Sequence, residues 1–287
     1  MSTTSIYGDN LEGLTETARI HDRRIWTQAE GFLQSVAFGR IPGHEIIHKF
    51  GSNVAVSTTL SVVASGGIYQ TPTAPVTLYA TSTSANDSAA GSGAQQIIVE
   101  YLDTSWNRQV GTIEMNGLSQ STSSISGVMR VFRAKVARSG SYANATTPSQ
   151  QGTITIHENG GSPVYATLPE LSSGFGSGQS LIAVYTVPAN HTAFVLKFIV
   201  SAASNQTTDV YFFSRSNADD VTAPYGGVMR AANVYSGLNS TVGLEHLTWE
   251  QYPEKTDMGF MAKVSSGNGS CSAEFEFMLI NNDYLGF

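Results

Sequence analysis

Two periods divide the chain. Between Leu11 and Phe38, the residues Leu14, Ala18, Ile25, Ala29, Phe32, Leu33 and Val36 recur at spacings of three, four or seven, the repeat of a helix with one buried face. Asp9 and Asn10 precede it as N-cap side chains, with Glu12 three residues after Asp9. One or two helices are predicted, ending where Ile41-Pro42-Gly43 breaks the pattern. From Asn53 onward the period falls to two, in short runs of Val, Ile, Thr, Tyr and Phe between clusters of Gly, Ser, Asn and Pro.

The first set of predicted strands is Thr59–Ala64, Val76–Thr81, Gln95–Leu102, Gln109–Met115, Gly127–Ala137 and Thr153–His157. After the turn-rich stretch Glu158-Asn159-Gly160-Gly161-Ser162-Pro163 come Val164–Leu168, Leu181–Val187, Ala193–Ser201, Asp209–Ser214, Val228–Val234, Val242–Trp249, Gly259–Val264 and Ala273–Ile280. Each set is large enough for two packed sheets. The expected fold is mainly β: two tandem β-sandwich or jelly-roll-like domains, at 51–158 and 159–287, behind an N-terminal helical arm and connector at 1–50. The tetrapeptide Gly127-Val128-Met129-Arg130 returns as Gly227-Val228-Met229-Arg230, but the flanking residues do not match and no duplication is inferred.

Composition narrows the function classes. Among 287 residues there are 35 Ser, 28 Thr and 28 Gly, and 13% of positions are charged, which does not suit a helical bundle or coiled coil. A net charge of -7 argues against a nucleic-acid partner, because phosphate contacts need a basic face. The acidity is concentrated late, at Glu245, Glu250, Glu254, Asp257, Glu274, Glu276 and Asp283. Cys271 stands alone, so burial rather than disulfides must hold the fold, as in a reducing cytoplasm. Met1 to Asn10 lack signal-peptide character, and the apolar stretch Ala193–Val200 is short and interrupted by Lys197, so no membrane partner is expected.

One string has the form of a catalytic motif. His44-Glu45-Ile46-Ile47-His48 matches HExxH, in which two histidines one helical turn apart bind zinc and the glutamate polarises its water. Pro42-Gly43 and Gly51-Ser52-Asn53 leave little room for the required helix. Val54 stands where a third histidine would fall, and the next glutamate is Glu100. The favoured reading is a linker whose Ile46, Ile47 and Phe50 pack on a neighbouring surface, with a zinc peptidase as the remote alternative. Gly174-Phe175-Gly176-Ser177-Gly178 has its serine misplaced for a nucleophile elbow, and Cys271 reads as a buried apolar residue. No catalytic, cofactor or metal residue is assigned, and a non-enzyme is expected.

Surfaces offer more. Arg130, Arg133, Lys135 and Arg138 crowd one predicted strand, and Arg133 and Lys135, two residues apart, share a face. An acidic region of another copy would complement them. Tyr211, Phe212 and Phe213 are consecutive, so a strand must point them to both faces and another layer must cover one side. These seven residues form the candidate subunit-contact surface. A carbohydrate- or host-binding module using outward aromatics is the alternative.

A resemblance adds to this reading. Asn86-Asp87, then Gly91-Ser92-Gly93-Ala94, precede the strand Ile97-Ile98-Val99-Glu100-Tyr101-Leu102-Asp103, and the next strand ends at Glu114-Met115-Asn116-Gly117. With His48-Lys49-Phe50-Gly51-Ser52-Asn53 and Val187-Pro188-Ala189-Asn190-His191-Thr192, this pattern resembles accessory virion structural proteins of tailed bacteriophages over most of positions 48–280. The resemblance implies a capsid decoration (cement) protein or a tail or neck attachment protein, homo-oligomeric as a trimer or ring. It further implies assembly in the host cytoplasm on major capsid or tail proteins. It carries no active-site residue, and head and tail placements both stay open.

Overall fold

The computed structural model describes residues 31–144, 147–172, 175–203 and 206–285. The expected helices up to position 30 lie outside the described residues; beyond them is one six-residue helix, α1 (Phe32–Ala37). It belongs to a small unit built from residues up to Ile46 and from Ile280 onward, separate from the compact unit Ile47–Leu279. Within the small unit Gly43 has a φ of +70° and lies so close to Tyr284 that a Cβ would stand 2.2 Å from its ring. The Gly43 carbonyl accepts a 2.8 Å hydrogen bond from the Asn281 amide, so only glycine fits this corner.

The strands are β1 (His44–Val56), β2 (Ser61–Val62), β3 (Val76–Ser82), β4 (Ala94–Leu102), β5 (Arg108–Glu114), β6 (Ile125–Val128), β7 (Arg130–Ser139), β8 (Ile154–His157) and β9 (Val164–Leu168). There follow β10 (Glu170–Ser172), β11 (Phe175–Gly176), β12 (Val184–Thr186), β13 (His191–Ala202), β14 (Thr208–Arg215), β15 (Arg230–Leu238), β16 (Thr241–Tyr252), β17 (Asp257–Val264) and β18 (Gly269–Asn281). The protein is mainly β, as its period-two patterning predicts.

In the large unit one sheet has the order β1-β18-β13-β16, and a second the order β12-β17-β14-β15 with β2 added on β17. Two further sheets, β6-β3-β8-β9 and β5-β4-β7, come from the first half of the chain. Two hydrophobic cores lie among these layers. Phe198, Phe212, Phe260, Phe275 and Phe277 lead one; Leu78, Ile97, Ile113, Ile154 and Ile156 lead the other. Phe212 belongs to the first core and Phe213 to the second, and so do Tyr185 and Val184 respectively. The β12-β17-β14 sheet is therefore a middle layer covered on both faces. This is why consecutive aromatics are tolerated on β14, since each face has its own apolar layer.

Strand partnerships cross the expected segment limits. β9 pairs antiparallel with β8 across the Glu158–Pro163 turn, and β2 pairs with β17, far along the chain. β1 occupies a stretch expected to be a linker. Its inward positions are Lys49, Gly51 and Asn53, two of them polar and one without a side chain, so hydrophobic alternation could not reveal the strand. Gly51 is required by close approach: a Cβ there would stand 2.2 Å from the Ala183 amide nitrogen and 2.3 Å from the Val63 carbonyl. Asn53 is satisfied internally, donating to the Val62 carbonyl and accepting from the Ala55 amide.

Candidate functional site

The sheet β5-β4-β7 turns one face into the core and the other outward, and its register aligns the outward side chains into rows. Val110, Glu100 and Arg133 form one row, Thr112, Ile98 and Lys135 the next, and Glu114, Gln96 and Arg138 a third. The cations are held in place by neighbours. Lys135 Nζ donates to Glu100 at 2.8 Å, Arg138 donates to Glu114 at 3.0 Å, and Arg133 donates to the His48 carbonyl at 3.1 Å. The Arg133 guanidinium also lies 5.0 Å from the centre of the Phe50 ring, whose plane stacks with His48. Burial raises the pKa of the Glu100 carboxyl, but Lys135, with Arg133 and Lys49, outweighs it and holds the group below the ordinary carboxylate range. A recess of about 580 Å³ lined by Glu100, Arg108, Gln109, Val110 and Phe132 opens beside these rows.

Arg130 does not join this face. It is fully buried, donating from Nε to Asp257 Oδ1 at 3.0 Å and from Nη2 to Oδ2 at 3.3 Å. Asp257 also accepts from Arg215 at 3.2 Å, Thr186 at 2.6 Å and Tyr69 at 3.3 Å, while Trp106 lies under the Arg130 guanidinium. One carboxylate thus ties together the starts of β7 and β17, the end of β12 and the loop at Tyr69. Phe212 and Phe213 are buried too, one in each core. Of the seven residues expected at a subunit contact, Arg133, Lys135, Arg138 and Tyr211 stay at the surface. The other three are corrected to interior positions, because layers distant in sequence close over them.

Lys49 is the residue that sequence patterning missed. It is 3% exposed, and its Nζ donates to the Phe132 carbonyl at 2.5 Å. Burial, reinforced by Arg133 and opposed by Glu100, lowers its pKa to about 7. Its neighbour His48 lies at the surface, its Nε2 3.3 Å from Glu274 Oε2.

The zinc reading loses its geometry. His44 to His48 is extended strand, not helix, which separates the two histidines by roughly 13 Å rather than one helical turn. His44 Nδ1 is within 2.8 Å of the Pro42 carbonyl, and among the described residues no group of three or more His, Cys, Asp or Glu is placed to hold a metal. Cys271 is buried, and burial pushes its thiol pKa up to about 12, so it is not a thiolate nucleophile. Among the described residues no helix is long and apolar enough to cross a membrane.

The motif behind the phage resemblance is a scaffold around one carboxylate. Asp87 is fully buried; its Oδ1 accepts from the amides of Ala94 and Gln151, and its Oδ2 from Ser82 Oγ and the Gly152 amide. Its carbonyl accepts from Gly117. A Cβ on Gly93 would stand 2.1 Å from Asp87 Oδ1, and one on Gly91 would stand 2.1 Å from the Asn86 carbonyl. The Asn-Asp, Gly-x-Gly and Asn-Gly elements are thus parts of a single turn cluster.

No known family profile matches the chain, and no curated protein matches it. Among solved structures it is similar to that of infectious bursal disease virus Gt strain, at 10% identity over 90% of this chain and 79% of the other, with a TM-score of 0.25. A T=1 particle derived from infectious bursal virus matches at 12% identity over 89% and 76%, with a TM-score of 0.24. The PBSX exported protein XepA matches at 11% identity over 81% and 86%, with a TM-score of 0.19.

Proposed function

We propose that this chain is a non-enzymatic structural component of a tailed-phage virion, a multimeric capsid decoration or cement protein assembled in the host cytoplasm. The observation that supports it most is the Asp87 cluster. The Asn86-Asp87, Gly91–Ala94 and Asn116-Gly117 parts of the resemblance serve one buried framework, so this part of the likeness concerns how a turn cluster is built. The β5-β4-β7 sheet carries Arg133, Lys135 and Arg138 on its outward face, an arrangement suited to repeated protein contacts. Adhesion by many copies, each contact modest, gives a stable layer through avidity.

Immunogold labelling and cryo-EM of purified particles test the proposal. Density for this fold at regular positions on the head is the expected result. Density confined to a tail or neck ring would reassign its placement, and absence of the chain from purified virions would end the virion reading. Against the carbohydrate alternative stands the burial of Phe212 and Phe213, and the engagement of the Phe50 ring by His48 and Arg133.

A further inference from the structure

We propose that the stretch 47–53 of β1 is a proton-coupled strap, which leaves the edge of its sheet as a unit and takes up one proton at Lys49 as it goes. The device belongs to the folded chain alone and does not depend on a place in a virion.

Three features make this stretch separable. β1 stands at the end of the order β1-β18-β13-β16, so it can leave without parting any other strand pair of that sheet. Between positions 47 and 55 the buried residues are Lys49, Gly51 and Asn53, and Ile47 and Phe50 are only half-buried, so little apolar surface holds it down. Val56 is fully buried in the first core and fixes the end that follows. Besides its ladder with β18, polar links hold 47–53 in place. Lys49 donates to the Phe132 carbonyl, Arg133 to the His48 carbonyl, Asn53 to the Val62 carbonyl at 3.4 Å, and Ser272 Oγ to Ser52 Oγ at 3.0 Å. The first of these links sits at a bulge. Arg133 is opposite Glu100 and Val131 opposite Tyr101, which leaves Phe132 with no residue opposite it on β4.

Lys49 makes the departure sensitive to pH. Held in the sheet, its amine lies away from water against the Phe132 carbonyl; released, it is a solvated ammonium. Burial opposes protonation in place, Arg133 of β7 adds to that, and Glu100 of β4, itself bound by Lys135, works against both. From β18, Glu274 meets not Lys49 but its exposed neighbour His48. The held amine has a pKa of about 7 against an ordinary 10.5. Between these values the held strand carries a neutral amine and the released one an ammonium, so each unit of acidification favours release about tenfold. Below about 7 the amine is charged in both states and the dependence ends. Release is thus easiest at and below neutral pH, and it bares the hydrogen-bonding edge of β18.

Hydrogen exchange of the full chain tests the device, read by mass spectrometry from about pH 6 to about pH 9 and corrected for the intrinsic pH dependence of amide exchange. Amides of positions 47–53 are expected to exchange at least about a hundredfold faster than those of β4, whose Ile97, Val99 and Leu102 are fully buried. Their protection is expected to rise about tenfold per pH unit between about pH 7.5 and about pH 9, and to be level below about pH 6.5. Lys49→Met is expected to flatten that rise, whereas His48→Gln, which alters the exposed neighbour, keeps it. Circular dichroism follows the fold of each variant, and the wild-type profile is decisive by itself if K49M folds poorly. Four results would each overturn the inference. They are protection of 47–53 equal to that of β4, which makes the opening global; protection that does not change with pH; a folded K49M variant that keeps the wild-type rise; and an H48Q variant that loses it.

Discussion

Replacing Lys49 by Met is expected to stabilise the protein at neutral pH and to destabilise it slightly in strong base. Lys49 has a pKa of about 7 in the folded protein against an ordinary 10.5. At about 1.4 kcal/mol per pKa unit, that gap corresponds to roughly 5 kcal/mol of unfavourable burial of the charge. The sign follows from proton counting. Between the two pKa values the unfolded chain holds the proton that the folded chain has released, so wild-type stability rises with pH from about 7 to 10.5. Below about 7 both states are protonated and the full cost is present; above 10.5 both are neutral and it vanishes. Met fills the same volume without a charge but cannot donate to the Phe132 carbonyl, a loss of about 1 kcal/mol. The variant should therefore gain up to about 4 kcal/mol at pH 6, match the wild type near pH 9 to 10, and fall below it by about 1 kcal/mol beyond that. Urea unfolding of both proteins across this range measures the difference, in which the titrations of groups distant from residue 49 cancel. Parallel stability curves, or a K49M variant destabilised equally at every pH, would refute the reasoning.

Other consequences concern buried polar groups. Asp87→Ala strands four donors, from Ser82, Ala94, Gln151 and Gly152, and is expected to cost roughly 3 to 5 kcal/mol by urea unfolding; a loss under about 1 kcal/mol would contradict the cluster. Asp257→Ala leaves the Arg130 and Arg215 guanidiniums without their shared carboxylate, at a cost of roughly 3 to 5 kcal/mol. Arg130→Met made in the same chain should recover part of that loss, a non-additivity that a double-mutant cycle reads directly. The Cys271 thiol, buried and held protonated, should resist a disulfide reagent at pH 8 in the native protein and react promptly in urea; fast native labelling would place it at the surface.

Much of the fold is legible in the residues. Alternation marks β4, β13 and β14 to within a residue or two, and the spacing of Arg133 and Lys135 puts both on one face, where the register with Glu100 and Ile98 finds them. β1 is not legible, because its covered face is built from Lys49, Gly51 and Asn53, and a buried lysine looks like a solvated one until its partners are known. The HExxH string misleads for the same reason: residue identity at fixed spacing says nothing about whether the backbone is helical or extended.

The repeated tetrapeptide separates the two kinds of information most sharply. Val128, Met129 and Arg130 are buried at the junction of β6 and β7, with Arg130 clasped by Asp257; Val228, Met229 and Arg230 are exposed at the start of β15. The sequence by itself determined a mainly β chain, the positions of most strands and which neighbours share a face, because those follow from local periodicity. Which faces are covered, which charges are buried and which apolar residues are left for a partner was decided only by the tertiary structure, since covering a sheet depends on layers supplied from elsewhere in the chain.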